Sequence, residues 1–229
     1  MGGCIALTDE EIVSVCNYFD NLGRDTDKQD LALRNKTMFL TGIFTGLRVG
    51  SLSKIKVRDV YQYGKINNVL AVEKRNTKGK RTGQNIDIID DLKKLIMEYV
   101  KHYHLEDSEG YLFTSMKGGP NDESFGGGIG TRQILHIYKT AYEACGIGAG
   151  KNRLGTHTTR KSYAKRIHAL GGNDIQKTQL ALGHSSLNST QHYLETNPEE
   201  VSAAMKLFKV EGLMSPVGKY TSVRSTSTE

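Results

Sequence analysis

Long apolar runs are missing from this chain of 229 residues. The longest span a few positions, as in Val69–Val72 and Tyr111–Phe113, against the roughly 18–20 that a membrane-spanning helix requires. The N-terminus, Met1-Gly-Gly-Cys-Ile-Ala-Leu-Thr8, has no basic segment followed by an apolar one, so it does not read as a secretory signal. Cysteine is scarce: Cys4, Cys16 and Cys145 are scattered and odd in number, which gives neither a disulfide framework nor a CxxC metal knuckle. A reducing cytoplasm is the simplest setting. Tryptophan is absent, and this excludes nothing. An excess of one charge is also small, 31 Lys and Arg against 25 Asp and Glu, or +6. That balance permits a polyanionic partner without demanding one. With 37% hydrophobic and 24% charged residues, the chain has enough apolar material for a globular core.

The patterns that are present describe a mainly helical α+β chain. Thr8-Asp-Glu-Glu11 ahead of Ile12, Val15, Cys16 and Phe19 reads as a capping box opening an amphipathic helix. A polar loop is expected over 21–28. Leu31, Leu33, Met38, Phe39, Leu40, Ile43 and Phe44 predict a mostly buried helix from Asp30 to about Gly46. Ser51 to Val57 reads as a short helix beginning at a serine cap. Alternation in Val69–Lys74, followed by Ile86, Ile88 and Ile89, predicts an antiparallel hairpin whose tip is the basic stretch 76–83. Helical period returns from Asp90 to His104. Six glycines and a proline between Met116 and Thr131 mark a mobile loop. Further helices are expected at 132–145, 158–170, 173–182, 187–195 and 198–209. The last fifteen residues hold seven Ser or Thr and read as a disordered tail. No internal repeat or second domain boundary is evident, so residues 1–212 form one domain and 213–229 the tail.

Four separated segments carry reactive side chains. In Thr45-Gly-Leu-Arg48-Val-Gly-Ser-Leu52, Arg48 stands where a buried helix gives way to a turn and a second helix. A planar guanidinium there can hold a phosphate, although a basic helix cap would look the same. Lys78, Lys80 and Arg81 occupy the hairpin tip, which could enter a DNA groove or could merely be solvated. His157 and Arg160 lie three apart near a helix N-terminus with Thr156 as its cap. Two cationic groups at the positive end of a helix dipole make sense if an anion is held, or if the first turn is simply exposed. In Leu182-Gly-His184 the histidine occupies a connector, and Tyr193 follows nine residues later. A tyrosine so placed is otherwise half-buried packing, and His192 beside it is a surface histidine.

Taken together, in this order, these segments resemble the catalytic domain of the tyrosine recombinases, the phage-integrase and Xer-type site-specific DNA recombinases. Thr45-Gly-Leu-Arg48-Val-Gly-Ser-Leu52 is similar to the family's first arginine motif. Lys78, thirty residues after Arg48, is similar to its hairpin lysine, with Lys74 and Lys80 near enough to compete. His157-Thr-Thr-Arg160 looks like its H-x-x-R box, and Leu182-Gly-His184 like its L-G-H motif. Tyr193 takes the place of its nucleophile. The resemblance covers roughly residues 8–196. It departs at Ser51, where the family commonly carries an acidic residue supporting the arginine, and altered hydrogen bonding around Arg48 is expected from that. The family's N-terminal DNA-clamping domain has no counterpart here, which implies a catalytic fragment or a compact member.

The resemblance implies a fold, a reaction and its residues: an α+β, mainly helical catalytic domain with a small antiparallel hairpin carrying the lysine. Tyr193 would attack a scissile phosphate, form a 3′-phosphotyrosyl bond and release a 5′-hydroxyl that rejoins a partner strand, with no metal, nucleotide or other cofactor. Arg48 and Arg160 would clamp the non-bridging oxygens, Lys78 would protonate the leaving oxygen, and His157 would assist proton transfer. His184 would donate a hydrogen bond to phosphate. Lys54, Lys80, Arg81 and Lys161 are the further side chains expected against DNA. The implied partners are double-stranded DNA bearing a specific site and, on it, a homotetramer of a chain monomeric when free. A helix at about 198–209 would dock on a neighbouring protomer or on its own domain. Three rivals remain: a type IB topoisomerase, a non-cleaving DNA-binding member of the fold, and a metal-dependent nuclease using His157 and His184. The compact spacing, the retention of all six positions and the lack of adjacent carboxylates weigh against them in that order.

Overall fold

The computed structural model describes residues 4–25, 28–72, 84–115, 127–148, 154–172 and 174–182. The hairpin tip with Lys74, Lys78, Lys80 and Arg81, the glycine-rich 116–126, His184, Tyr193 and the expected helices at 187–195 and 198–209 lie outside them, as does the tail.

Helix α1 spans Asp9–Leu22 and opens as the sequence demands: Thr8 accepts from the Glu11 amide while the Glu11 carboxylate accepts from the Thr8 amide. That reciprocal bonding satisfies two amides the helix cannot pair internally. Ile12, Val15, Cys16 and Phe19 form its buried stripe. Helix α2, Gln29–Thr45, is the central element, and every residue from Ala32 to Leu47 is buried. It is packed by α1 on one side, by α5 (Asp90–His102) on a second and by α7 (His157–Leu170) on a third. A helix enclosed on three sides needs no polar face, so its charged residues are paired within the protein. The Lys36 ammonium donates to both Asp20 carboxylate oxygens at 2.7 and 2.8 Å. Arg34 donates to the Thr114 carbonyl and to Asn35 Oδ1. Aromatic edges close the layer between α2 and α6 (Thr131–Ala144): Phe39 meets Tyr138 edge-on, and the Tyr138 hydroxyl donates to the Met38 carbonyl.

The segment after α2 differs from the sequence expectation. Ser51–Val57 is not one serine-capped helix. It is two single turns, α3 (Val49–Leu52) and α4 (Val57–Val60), and Arg48, not Ser51, occupies the cap of the first. Ser51 is buried inside α3, and its amide donates to the Arg48 carbonyl. The left-handed Gly46 ends α2, and the next turn is capped at Arg48, three residues before Ser51. A small hairpin, β1 (Tyr61–Gln62) with β2 (Lys65–Ile66), was not legible in the sequence, because two-residue strands carry no periodicity.

The expected hairpin is present. Strand β3 (Val69–Val72) pairs antiparallel with β4 (Gln84–Asp87), with Val72 opposite Gln84. Leu70, Val72 and Ile86 point inward, while Val69 and Ala71 face solvent. Ile88 and Ile89 leave the ladder and lead into α5. Because Val72 and Gln84 are register partners, the basic connection 73–83 must leave and return at one edge of this ribbon. The final described helix, α8, covers Ile175–Ala181. The architecture is the mainly helical α+β arrangement with small antiparallel ribbons that the sequence predicts.

Candidate active site

The site is built where α2 ends, α7 begins and α8 ends. Close approach of α2 and α7 is a consequence of small residues: a Cβ added at Gly42 would stand 3.3 Å from Thr159 Oγ1. At Gly46 the constraint is harder. Its φ is +61°, and an added Cβ would lie 2.3 Å from the Tyr163 ring. A left-handed backbone and a ring occupying the Cβ position both require glycine. Gly46→Ala is therefore expected to cost about 2–4 kcal/mol, from the left-handed penalty plus overpacking, seen as a lower urea midpoint. Gly50→Ala, with nothing within 4 Å of the new methyl, is expected to change stability by no more than about 0.5 kcal/mol.

Helix α7 starts at His157, as the H-x-x-R reading requires. Thr156 holds the cap position, but its side chain makes no capping bond; Thr158 Oγ1 instead accepts from the Gly155 amide at 3.1 Å. The first turn is then buried at Thr158, Thr159 and Arg160 and exposed at His157 and Lys161. One helical turn thus carries an inward guanidinium and an outward imidazole, rather than the two exposed cations an uncommitted first turn would show.

Arg160 is only 7% exposed, yet no carboxylate neutralises it among the described residues. Its guanidinium donates through Nη1 to the Gly46 carbonyl and through Nη2 to the Leu182 carbonyl at 2.8 Å. One side chain thereby joins the end of α2, the start of α7 and the end of α8. Burial is the main influence lowering its pKa to about 10, and the neighbouring positive charge of Arg48 lowers it further. Arg48, extended and half-buried at the cap of α3, is thus within electrostatic reach of Arg160 although 112 positions separate them in the chain. Two like charges within reach of each other, with no carboxylate paired to Arg160 among the described residues, favour an anion beside them.

The hairpin is tied to the same place. Gln84, the first residue of β4, donates from Nε2 to the Ala181 carbonyl at 3.0 Å, across 97 positions. Tyr163 fills the space behind Arg160, and burial raises its phenol while the Arg160 charge opposes that rise. The structure sets Arg48 within electrostatic reach of Arg160, ties Gln84 of the hairpin to the end of α8, and leaves His157, Lys54 and Lys161 at the surface. Lys78, Lys80, Arg81, His184 and Tyr193 lie outside the described residues. Their chain neighbours, Leu182 above all, are positioned by the contacts just given. Gly46, Tyr163 and Gln84 escaped the sequence reading as site residues. The glycine was visible in its motif but not its carbonyl's use, and the other two carry no local signal.

Comparison with known proteins shows the family. Residues 6–200 match the phage integrase family. A probable integrase/recombinase of Bacillus subtilis, YoeC, is 32% identical over 184 residues, spanning 79% of this chain and 90% of that protein. The tyrosine recombinase XerH of Campylobacter jejuni is 25% identical over 205 residues, and there the match spans 89% of this chain but about half, 51%, of the relative. Among solved structures, XerH bound to its difH substrate before cleavage superposes with a TM-score of 0.60 at 18% identity, covering 88% of this chain and 53% of that one. By sequence over most of its length, the chain belongs to the phage integrase family, and it has the catalytic-domain fold of a tyrosine recombinase.

Proposed function

We propose that this protein is a site-specific DNA recombinase that cleaves and rejoins strands through a covalent phosphotyrosine at Tyr193. The observation that carries the reading is the buried Arg160, which meets no carboxylate among the described residues, senses the Arg48 charge, and holds the Leu182 carbonyl just before the Gly183-His184 connector that leads to Tyr193. A scissile phosphate supplies the missing negative charge. The two guanidinium groups hold its non-bridging oxygens and stabilise the extra charge of the pentavalent transition state.

An unperturbed phenol has a pKa of about 10, so ionising Tyr193 at neutral pH costs roughly 4 kcal/mol. The same cations offset part of that cost. His157, exposed at the start of α7, assists transfer of the phenolic proton, and Lys78 at the hairpin tip protonates the departing 5′-oxygen. His184 donates a hydrogen bond to the phosphate. The bond energy of the DNA is conserved in the 3′-phosphotyrosyl ester, and a 5′-hydroxyl from a partner strand attacks it to rejoin the backbone, so the balance needs neither oxidant nor nucleotide. Lys54 and Lys161, with Lys80 and Arg81 on the hairpin tip, bind flanking phosphates. The working assembly is a tetramer on double-stranded DNA of a chain that is monomeric when free, within one catalytic domain covering 1–212. Its helix at 198–209 makes the protomer contact, and residues 213–229 form the tail. The setting is the cytoplasmic nucleoid, consistent with the finding that no described helix is long and apolar enough to cross a membrane.

The test is covalent capture. A library of nicked duplexes with randomised arms is incubated with the protein in EDTA, denatured in SDS, and the retained DNA sequenced. An SDS-resistant adduct on the 3′ side of the break, enriched for one sequence and weakening steeply with salt, is the expected result. Absence of any adduct across such a library, with binding intact, would reject the reading in favour of a non-cleaving DNA-binding protein. An adduct without sequence enrichment would point to the topoisomerase.

A further inference from the structure

We infer that Gln84 is a positioning residue that ties the lysine hairpin to the end of α8, from which the chain runs on to His184 and Tyr193. This rests on the function proposed above and adds a residue to it. A helix leaves its last carbonyls without internal partners, and at the end of α8 two consecutive ones, those of Ala181 and Leu182, are taken up by side chains from other elements. Arg160 from α7 holds Leu182, and Gln84 from β4 holds Ala181. The two carbonyls sit immediately before Gly183-His184 and are themselves buried in the core. The arginine bond fixes the start of α7 relative to the end of α8. The glutamine bond does the same for the hairpin, since Gln84 is paired with Val72 at the edge where the basic connection 73–83 begins and ends.

The chemistry explains why such a link matters. A lysine acting as general acid must lie within hydrogen-bond reach of the leaving oxygen, and a two-stranded ribbon is too weakly stable by itself to hold its tip to that tolerance. A neutral amide suits the task, because it donates to a carbonyl without adding charge beside two arginines. Gln84 acts through the hairpin.

Two variants separate this role from plain stability. Gln84→Met keeps the length and packing of the side chain without a donor, and Gln84→Glu places an acceptor against the carbonyl. Each is compared with native protein on a captured duplex carrying an ordinary 5′-oxygen at the scissile bond, and on one with sulfur there. A thiol, with a pKa of about 8.5, leaves without being protonated. On the oxygen substrate both variants are expected to cleave at least about tenfold more slowly, the scale of one lost hydrogen bond. On the sulfur substrate they should return to within about threefold of native. Hydrogen exchange read without DNA should be faster by about fivefold or more at the Thr178–Leu182 amides in both variants. An equal loss on both substrates, no loss on oxygen, or unchanged exchange at the end of α8 would each overturn the assignment. Lys78→Ala serves as the control on the underlying reading. If its defect is not relieved by sulfur while that of Gln84→Met is, Lys78 is the wrong lysine and the Gln84 link stands. If native protein forms no adduct, the recombinase reading fails and the exchange data alone judge the link.

Discussion

Arg160→Lys is expected to slow single-turnover strand cleavage by about 10²–10³-fold, the range seen when one donor to a transition-state oxyanion is lost, although the charge is unchanged. The reason is geometric. The guanidinium spends one edge on the Gly46 and Leu182 carbonyls and keeps the rest of its planar fork for a ligand. An ammonium is a point donor on a differently placed stem and cannot span two backbone carbonyls and a phosphate at once. The same change leaves at least one buried carbonyl without a partner, at about 1–3 kcal/mol. For a chain of this size that lowers Tm by very roughly 2–4 °C per kcal/mol. Cleavage kinetics and thermal denaturation measured together separate the two effects, and activity within tenfold of native would contradict the clamp.

The pH dependence of this arginine runs opposite to that of a salt-bridged one. Its folded pKa is lowered from the usual arginine range to about 10 by burial and by Arg48. Below about pH 10 the group is charged in both folded and unfolded states, so it contributes no slope to stability across neutral pH. Above that, the unfolded chain binds the proton more tightly, and this group's share of stability rises with pH. At neutral pH the buried charge is therefore a standing cost, and an oxyanion between Arg48 and Arg160 removes part of it.

Tyr193→Phe is expected to eliminate the SDS-resistant adduct altogether while leaving non-covalent DNA binding within about twofold of native, since only the attacking oxygen is removed. A gel of the denatured reaction and a native mobility shift on the same samples check both halves. Persistence of the adduct in the phenylalanine variant would remove Tyr193 as nucleophile. Loss of binding together with the adduct would mean that the change had disturbed the fold around the site and not the chemistry alone.

Particular residues show how far a one-dimensional reading carries. Thr8 with Glu11, the glycine after α2 and the alternation in β3 and β4 are local signals, and each produced the element expected. Arg34 and Lys36 show the limit. Their charges belong on an exposed face, yet both are buried, because Asn35, Thr114 and Asp20 are brought to them by the fold. Likewise, Ser51 looked like a cap and is interior to a turn, because Gly46 had already ended the helix.

By itself, then, the order of residues determined which helices and ribbons form and which chemical types occur at which spacing, since capping, periodicity and turn chemistry act over a few positions. Only the tertiary structure decided that the Arg48 charge reaches Arg160, that the Gly46 and Leu182 carbonyls anchor that guanidinium, and that Gln84 joins the hairpin to α8. Those pairings span from 22 to 114 positions. They exist because packing around α2 brings distant ends together, and neither hydrogen bonds nor Coulomb forces reach that far along an open chain.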